Sequence, residues 1–140
     1  MPNIIQGGTY EDQRGRLIFF NEFDMSPVKR FYVIEHPNIE TVRAWQGHKI
    51  EQKWFYVISG SFKIALVQPD DWQNPSKSLK PEEYLLKAEQ NKVLHIPGGW
   101  ASGFRALESD SRLIIFSDFP ITEAGKDDFR FDRNLWYEWD

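Results

Sequence analysis

The chain has 140 residues, the size of one domain, and its 16% aromatic content, supplied by eleven Phe, six Trp and five Tyr, favours a β-rich interior. A net charge of −4, with 17 Lys+Arg and 21 Asp+Glu mixed along the sequence, provides no basic stripe to neutralise a phosphate backbone, which excludes nucleic acid as an expected partner. The absence of cysteine removes disulfides, thiolate metal sites and cysteine nucleophiles, and without an apolar leader or an apolar run of about 18 residues no membrane association is expected and the protein reads as cytoplasmic.

In chain order, 7–15 is turn-rich, and Arg16 to Phe23 reads as a first strand with partial alternation. Pro27 breaks the chain. Val28 to His36 is a β-branched and aromatic run closed by Pro37-Asn38, which predicts a second strand. Glu40 to Trp45 begins a third. WFYVISG and SFKIALVQ flank Ser59-Gly60, and this pattern predicts a tight hairpin. Pro69 to Pro81 reads as a polar surface loop. Short strands follow at Glu82 to Leu86 and Lys92 to Ile96, then the Pro97-Gly98-Gly99 turn leads into WASGFRAL, and Arg112 to Phe119 forms the last long apolar strand. Eight to ten short strands with little helical periodicity predict an all-β sandwich or barrel, foremost a jelly roll, with ligands held between its sheets. The whole chain, 1–140, is expected to be a single domain, its core spanning about 7–120 and an aromatic tail occupying 121–140.

Polar chemistry concentrates in RAWQGHKIEQK, from Arg43 to Lys53. His48 stands out because imidazole exchanges protons near neutral pH, and it lies near Arg43, Lys49 and Lys53 in sequence; the plainer reading is a strand histidine that only hydrogen-bonds. His36 and His95 read as structural. Three histidines, none at His-x-His or His-x3-His spacing, give no expectation of a metal. Arg43, Lys53 and Arg105 could clamp a diphosphate or merely decorate a solvated sheet face, and Gly47 leaves open whether Arg43 and Lys53 share one face. Trp45, Trp54, Trp100, Tyr32 and Tyr56 could stack on a base or a sugar, or fill the core. Tyr32 also suits the role of an acid beside a forming enolate, and Asp118 could orient an imidazole or cap a turn.

RAWQGHKIEQKWFYVISGSFKI and VLHIPGGWASGFRAL together resemble the cupin jelly roll (double-stranded β-helix) of deoxysugar-nucleotide enzymes. These are the dTDP-4-dehydrorhamnose 3,5-epimerase family and, more closely, the dTDP-4-keto-6-deoxyglucose 3,4-ketoisomerase group with its WxcM-like domain. The likeness covers about residues 7 to 120. The ketoisomerase segment R-x-x-H-x-H-K, with its following Gln and Gly-Ser, reads here as Arg43, Gln46, His48, Lys49, Gln52, Gly60 and Ser61. Gln46 replaces the first histidine, which is also the epimerase base position, and Ser102 replaces the histidine of the epimerase's P-x-G-x-A-H-G-F motif, read here as Pro97 to Phe104. Lys53 keeps the epimerase spacing to the turn glycine.

The resemblance implies enolate-type proton transfer on a dTDP-linked 4-keto-6-deoxyhexose for bacterial surface-polysaccharide synthesis, without metal or other cofactor, by a homodimer. On this reading His48 is the base, Arg43 and Lys53 stabilise the developing negative charge, and Tyr32 supplies an acid. Gln46, Gln52, Trp45, Trp100, Ser102 and Arg105 are the expected substrate contacts, with Arg43 to Gly60 forming one wall of the pocket and Pro97 to Phe104 the opposite one. The alternatives are a sugar-nucleotide binder that lost its catalytic base and a structural dimer module.

Overall fold

A computed structural model describes residues 1–139. Its strands are β1 (Asn3–Gln6), β2 (Gly8–Asp12), β3 (Gly15–Phe19), β4 (Arg30–His36), β5 (Val42–His48), β6 (Lys53–Ser59), β7 (Ser61–Val67), β8 (Glu82–Lys87), β9 (Lys92–Ile96), β10 (Trp100–Ala106), β11 (Ser111–Ser117) and β12 (Phe129–Arg130). One helical turn, α1 (Ile121–Ala124), precedes a short 3-10 turn at Gly125–Asp127.

Two five-stranded antiparallel sheets carry the fold, one ordered β1-β9-β6-β11-β4 and the other β12-β5-β10-β7-β8. From β4 to β7, and again from β8 to β11, successive strands alternate between the sheets. That winding is a double-stranded β-helix, the expected jelly roll. The inward residues of both sheets, including Phe55, Val57, Phe62, Ile64, Leu66, Leu86, Leu94 and Leu113, form the main core.

The predicted hairpin at Ser59-Gly60 does not form. β6 pairs with β9 and β11, whereas β7 pairs with β8 and β10, so the two segments face each other across the sandwich interior. Gly60 sits in the left-handed region with φ of 72°, and a Cβ there would run into Ser111. A single glycine at a close approach therefore turns the chain from one sheet into the other, and it leaves the same sequence signature as a hairpin. The long loop after β7 instead links the true neighbours β7 and β8, as its prolines led one to expect.

The N-terminal turn-rich reading also changes. β1 adds to the edge of the first sheet beside β9, and β2 with β3 makes a two-stranded ribbon whose Gly15 takes a φ of 121°. β3 is the first strand expected from Arg16, though it ends at Phe19 and not Phe23, whereas β1 and β2 were missed within a stretch whose glycines and polar residues show no alternating apolar face.

The outer face of the second sheet is covered by the chain's last segment. Trp136 and Trp139 pack on Trp45, and with Ala65, Val67 and Ala101 they form a second apolar cluster. β12 extends the same sheet by pairing Phe129 and Arg130 with Gly47 and Gln46.

Candidate active site

A cavity of about 640 Å³ opens between the sheets at the end away from Gly60. Its walls carry Arg30, Tyr32 and Ile34 from β4, Lys53 and Phe55 from β6, and Ile115 from β11 on one side. Arg43, Gln46 and His48 of β5 face them, with Ser102 and Phe104 of β10. Because β10 is hydrogen-bonded to β5, Pro97 to Phe104 shares a wall with Arg43 to His48 and does not form the opposite one; that wall belongs to β4, β6 and β11, so Arg43 to Gly60 crosses from one wall to the other.

The shared-face question is decided by register. Ser102 pairs with Gln46 while Phe104 pairs with Arg43, so two residues of β5, Ala44 and Trp45, lie opposite the single residue Gly103. This bulge offsets the odd spacing between Arg43 and Gln46, which would otherwise point them to opposite faces. Arg43 thus reaches the cavity from β5 and Lys53 reaches it from β6, in different sheets.

His48 is almost fully buried and is positioned by the C-terminal segment. Its Nδ1–H donates to the Asp127 carbonyl at 2.6 Å, which fixes the tautomer, and among the described residues the Nε2 lone pair has no hydrogen-bond partner. The Glu51 carboxylate lies 3.4 Å from the same Nδ1, where it would stabilise an imidazolium. Ser117 Oγ donates to Glu51 at 2.6 Å, and the Arg30 guanidinium stands 3.6 Å away. Burial pushes His48 below the ordinary imidazole range, assisted by the Lys53 charge and opposed by the Asp127 hydrogen bond and the carboxylates of Glu51 and Asp127. A neutral imidazole with a free lone pair can accept a proton.

The turn after His48 is held by one carboxylate. The backbone N–H groups of Lys49, Ile50 and Glu51 all donate to Asp127, each at 2.8 Å. Gly98 packs so tightly beneath this turn that a Cβ would meet the Lys49 and Ile50 carbonyls, so the Pro97-Gly98-Gly99 stretch serves as a backbone support.

Lys53 is 5% exposed, and its Nζ donates to Gln46 Oε1 at 3.2 Å. The other end of that carboxamide, Nε2, donates to Asp128 Oδ1 at 3.1 Å, and Asp128 in turn accepts from Arg130 at 2.8 Å. Burial lowers the Lys53 pKa to about 8, with Glu51 acting in the opposite direction. Tyr32 carries Arg30 and Lys53 near its ring, with the Arg30 guanidinium 5.1 Å and the Lys53 ammonium 5.9 Å from its centroid. Burial raises the phenol's pKa, which keeps it protonated at neutral pH. Arg43 sits at the rim, where its Nε donates to His36 Nε2 at 3.2 Å. His36 is therefore a buried support for Arg43, held neutral by burial and by that guanidinium.

Of the residues singled out by sequence, His48, Tyr32, Arg43, Lys53, Gln46 and Ser102 meet at this cavity. Trp45 borders it, but its ring is buried among Trp136 and Trp139 with its N–H donated to the Arg133 carbonyl, so no face is free for stacking. Trp100 lies in the main core. Arg105 alternates with the inward-facing Phe104 and so projects from the outer side of its sheet. Gln52 lies outside the cavity, where it bonds Asp118 and accepts from His95, whose ring stacks on Trp54. Asp118 thus holds the Gln52 backbone and amide.

The sequence reading missed Arg30, Glu51, Asp127, Asp128 and Arg130. Arg30 shares the inward parity of Tyr32 on β4, a signal available from alternation alone. The three tail residues come to the site through pairings some eighty positions long, and no local pattern announces them.

The fold of the sandwich, a cupin-type jelly roll, matches that of solved sugar-nucleotide isomerases and epimerases. Among solved structures, the TDP-quinovose 3,4-ketoisomerase of Campylobacter jejuni superposes with a TM-score of 0.70 at 20% identity, covering 96% of this chain and 95% of that one. The 3'-monoepimerase of Streptomyces bikiniensis, solved with dTDP-quinovose, gives 0.76 at 16% identity, over 94% and 70% of the two chains. Among curated proteins, a probable low-salt glycan biosynthesis epimerase of Haloferax volcanii is 25% identical over 109 residues, 74% of this chain and 68% of that protein. No family model matches the chain.

Proposed function

We propose that the protein is a sugar-nucleotide isomerase of glycan synthesis, acting on a dTDP-linked 4-keto-6-deoxyhexose by proton transfer through an enolate. The observation that carries this reading is His48, tied at Nδ1 and free at Nε2, in a cavity where cationic side chains outnumber carboxylates. The relatives' activities support it. A ketone acidifies the neighbouring C–H; His48 takes that proton, and Lys53 and Arg43 hold the negative charge that develops on oxygen. Arg30 and Arg130 add positive charge suited to a diphosphate.

The 3,4-ketoisomerase form is favoured over 3,5-epimerisation. Gln46 occupies the epimerase base position, and its carboxamide is engaged at both ends by Lys53 and Asp128 and takes up no proton at neutral pH. Ser102 stands beside it on the same wall.

The reading extends to the whole chain as one domain, because the C-terminal segment supplies the Asp127 contacts that hold His48. It extends also to a homodimer in the cytoplasm, where nucleotide sugars are made. Phe31, Val33 and Ile58 stand exposed on the outer face of the first sheet and offer an apolar surface for a second copy. Among the described residues no helix is long and apolar enough to cross a membrane.

Incubation with dTDP-4-keto-6-deoxyglucose in deuterated water tests the proposal. Solvent deuterium should enter C3 of the recovered 4-keto sugar and C4 of the 3-keto product that forms. Tight binding without any exchange would instead assign the cavity to a non-catalytic binder.

A further inference from the structure

We infer that Lys53 is the second proton carrier of the reaction, acting first as acid and then as base, with Gln46 as the residue that positions it. This rests on the isomerase reading above. A keto group that moves from C4 to C3 must gain a proton on one oxygen and lose one from the other, in addition to the transfer between carbons. His48 serves the carbons. A second group must serve the oxygens and return to its starting state.

The geometry singles out Lys53 for this. Its Nζ is buried at the cavity wall with a single side-chain acceptor, Gln46 Oε1, and no carboxylate lies within 4 Å of it among the described residues. Gln46 is oriented by both of its ends, its carbonyl accepting from Lys53 and its NH₂ donating to Asp128. The carboxamide thereby stands between the ammonium and the carboxylate that would otherwise pair with it. An unpaired ammonium in a buried wall can give up its proton; one locked to a carboxylate cannot do so as readily. The groups that bias it come from every side. Glu51 precedes its own strand, Arg30 and Tyr32 face it from β4, and His48 and Arg43 face it from β5. Asp128 and Arg130 face it from the C-terminal segment. The resulting pKa of about 8 suits a group that must both donate and accept near neutrality.

The step balances as follows. His48 Nε2 takes the C3 proton. The C–H electron pair becomes the C3=C4 double bond, the carbonyl π pair moves to O4, and O4 takes a proton from the Lys53 ammonium to give a neutral enediol. The Lys53 amine then takes the O3 hydroxyl proton, the O3 electron pair forms C3=O3, and the C3=C4 pair takes the proton held by His48 at C4. The 3-keto sugar leaves with both side chains restored.

Lys53→Arg keeps the charge but cannot deprotonate at working pH. Wild type and variant are compared by proton NMR in deuterated water, with dTDP-4-keto-6-deoxyglucose as the probe. The expected result is C3 exchange retained within about tenfold, while formation of the 3-keto product falls at least about 100-fold. Product formation within tenfold of wild type, or equal loss of exchange and product in a folded variant, overturns the proposal by reducing Lys53 to a fixed charge or a steric requirement.

Two further measurements keep the test independent of any one substitution. Because the chain has no cysteine, Lys53→Cys can be alkylated at that position with bromoethylamine in denaturant and refolded. The restored aminoethyl side chain should recover product formation and shift the alkaline limb of kcat/KM to lower pH; failure to recover in a folded, alkylated protein counts against the proposal. Gln46→Glu places a carboxylate on Lys53 and should move that limb to higher pH, and an unmoved limb counts against it. A wild-type protein that neither exchanges nor converts the substrate sinks the isomerase reading and this proposal together, an outcome distinct from all of the above.

Discussion

The space between the two sheets is built in two halves that follow opposite rules. At the Gly60 end, Val57, Phe62 and Ile64 close a packed core; at the other end Lys53 of β6, Tyr32 of β4, and Gln46 and His48 of β5 line an open cavity. β6 passes from one to the other, with Lys53, Phe55 and Val57 at successive inward positions. The pleat treats them alike, and residue type alone decides whether a layer is closed by apolar packing or lined by polar side chains. The core half is built for stability, whereas the cavity half holds ionisable groups away from water, at a cost the core must offset.

The largest expected effect lies in the cavity half. His48→Asn should lower turnover by about 10²–10⁴-fold, the usual contribution of a general base, while the melting temperature stays close to wild type. Unchanged turnover would remove His48 from the mechanism and with it the functional contrast between the halves.

The core half should respond in the opposite way. Phe62 is fully buried, with His36 and Phe104 rings against it, so Phe62→Ala should cost about 3–5 kcal/mol in denaturant unfolding. A loss below about 1 kcal/mol would show that this end of the sandwich is not the packed core described.

Lys53→Met tests whether the cavity half carries a stability cost. The folded state holds Lys53 near pKa 8 against an ordinary value of 10.5, so the unfolded chain binds the proton more tightly. The sign follows from linkage. The penalty is fully present below pH 8, amounts to about 3 kcal/mol at most, and is relieved as pH rises from 8 towards 10.5. Lys53→Met should therefore be at least as stable as wild type at pH 7, with the difference shrinking across that interval. A variant that is less stable at pH 7 would mean the ammonium contributes to folding.

The strands of the sandwich and much of the cavity were legible because they obey local rules. Alternation in Arg30 to His36 and in Lys53 to Ser59 marks strands, and the spacing of Arg43, Gln46, His48 and Lys53 resembles a family segment. Local pattern left the arrangement open, or misread it, where the backbone departs from regularity. A bulge at Ala44 and Trp45 brings Arg43 and Gln46 to one face, and the glycine at 60 turns a corner between sheets where a hairpin was expected. Aromatic residues were ambiguous for a related reason. A tryptophan suits a ligand platform or a core equally well, and only the packing of Trp136 and Trp139 on Trp45 decides which it is.

By itself the sequence determined an all-β jelly roll and a polar segment centred on His48, since binary pattern, turn residues and side-chain chemistry are local properties. Only the tertiary structure decided that β6 and β7 face each other across the interior, that Arg43 and Lys53 approach one cavity from different sheets, and that Asp127 and Asp128 from the C-terminal segment complete it. These are pairings between distant residues, fixed by which buried polar groups find partners when the two sheets close, and a one-dimensional pattern does not encode that choice.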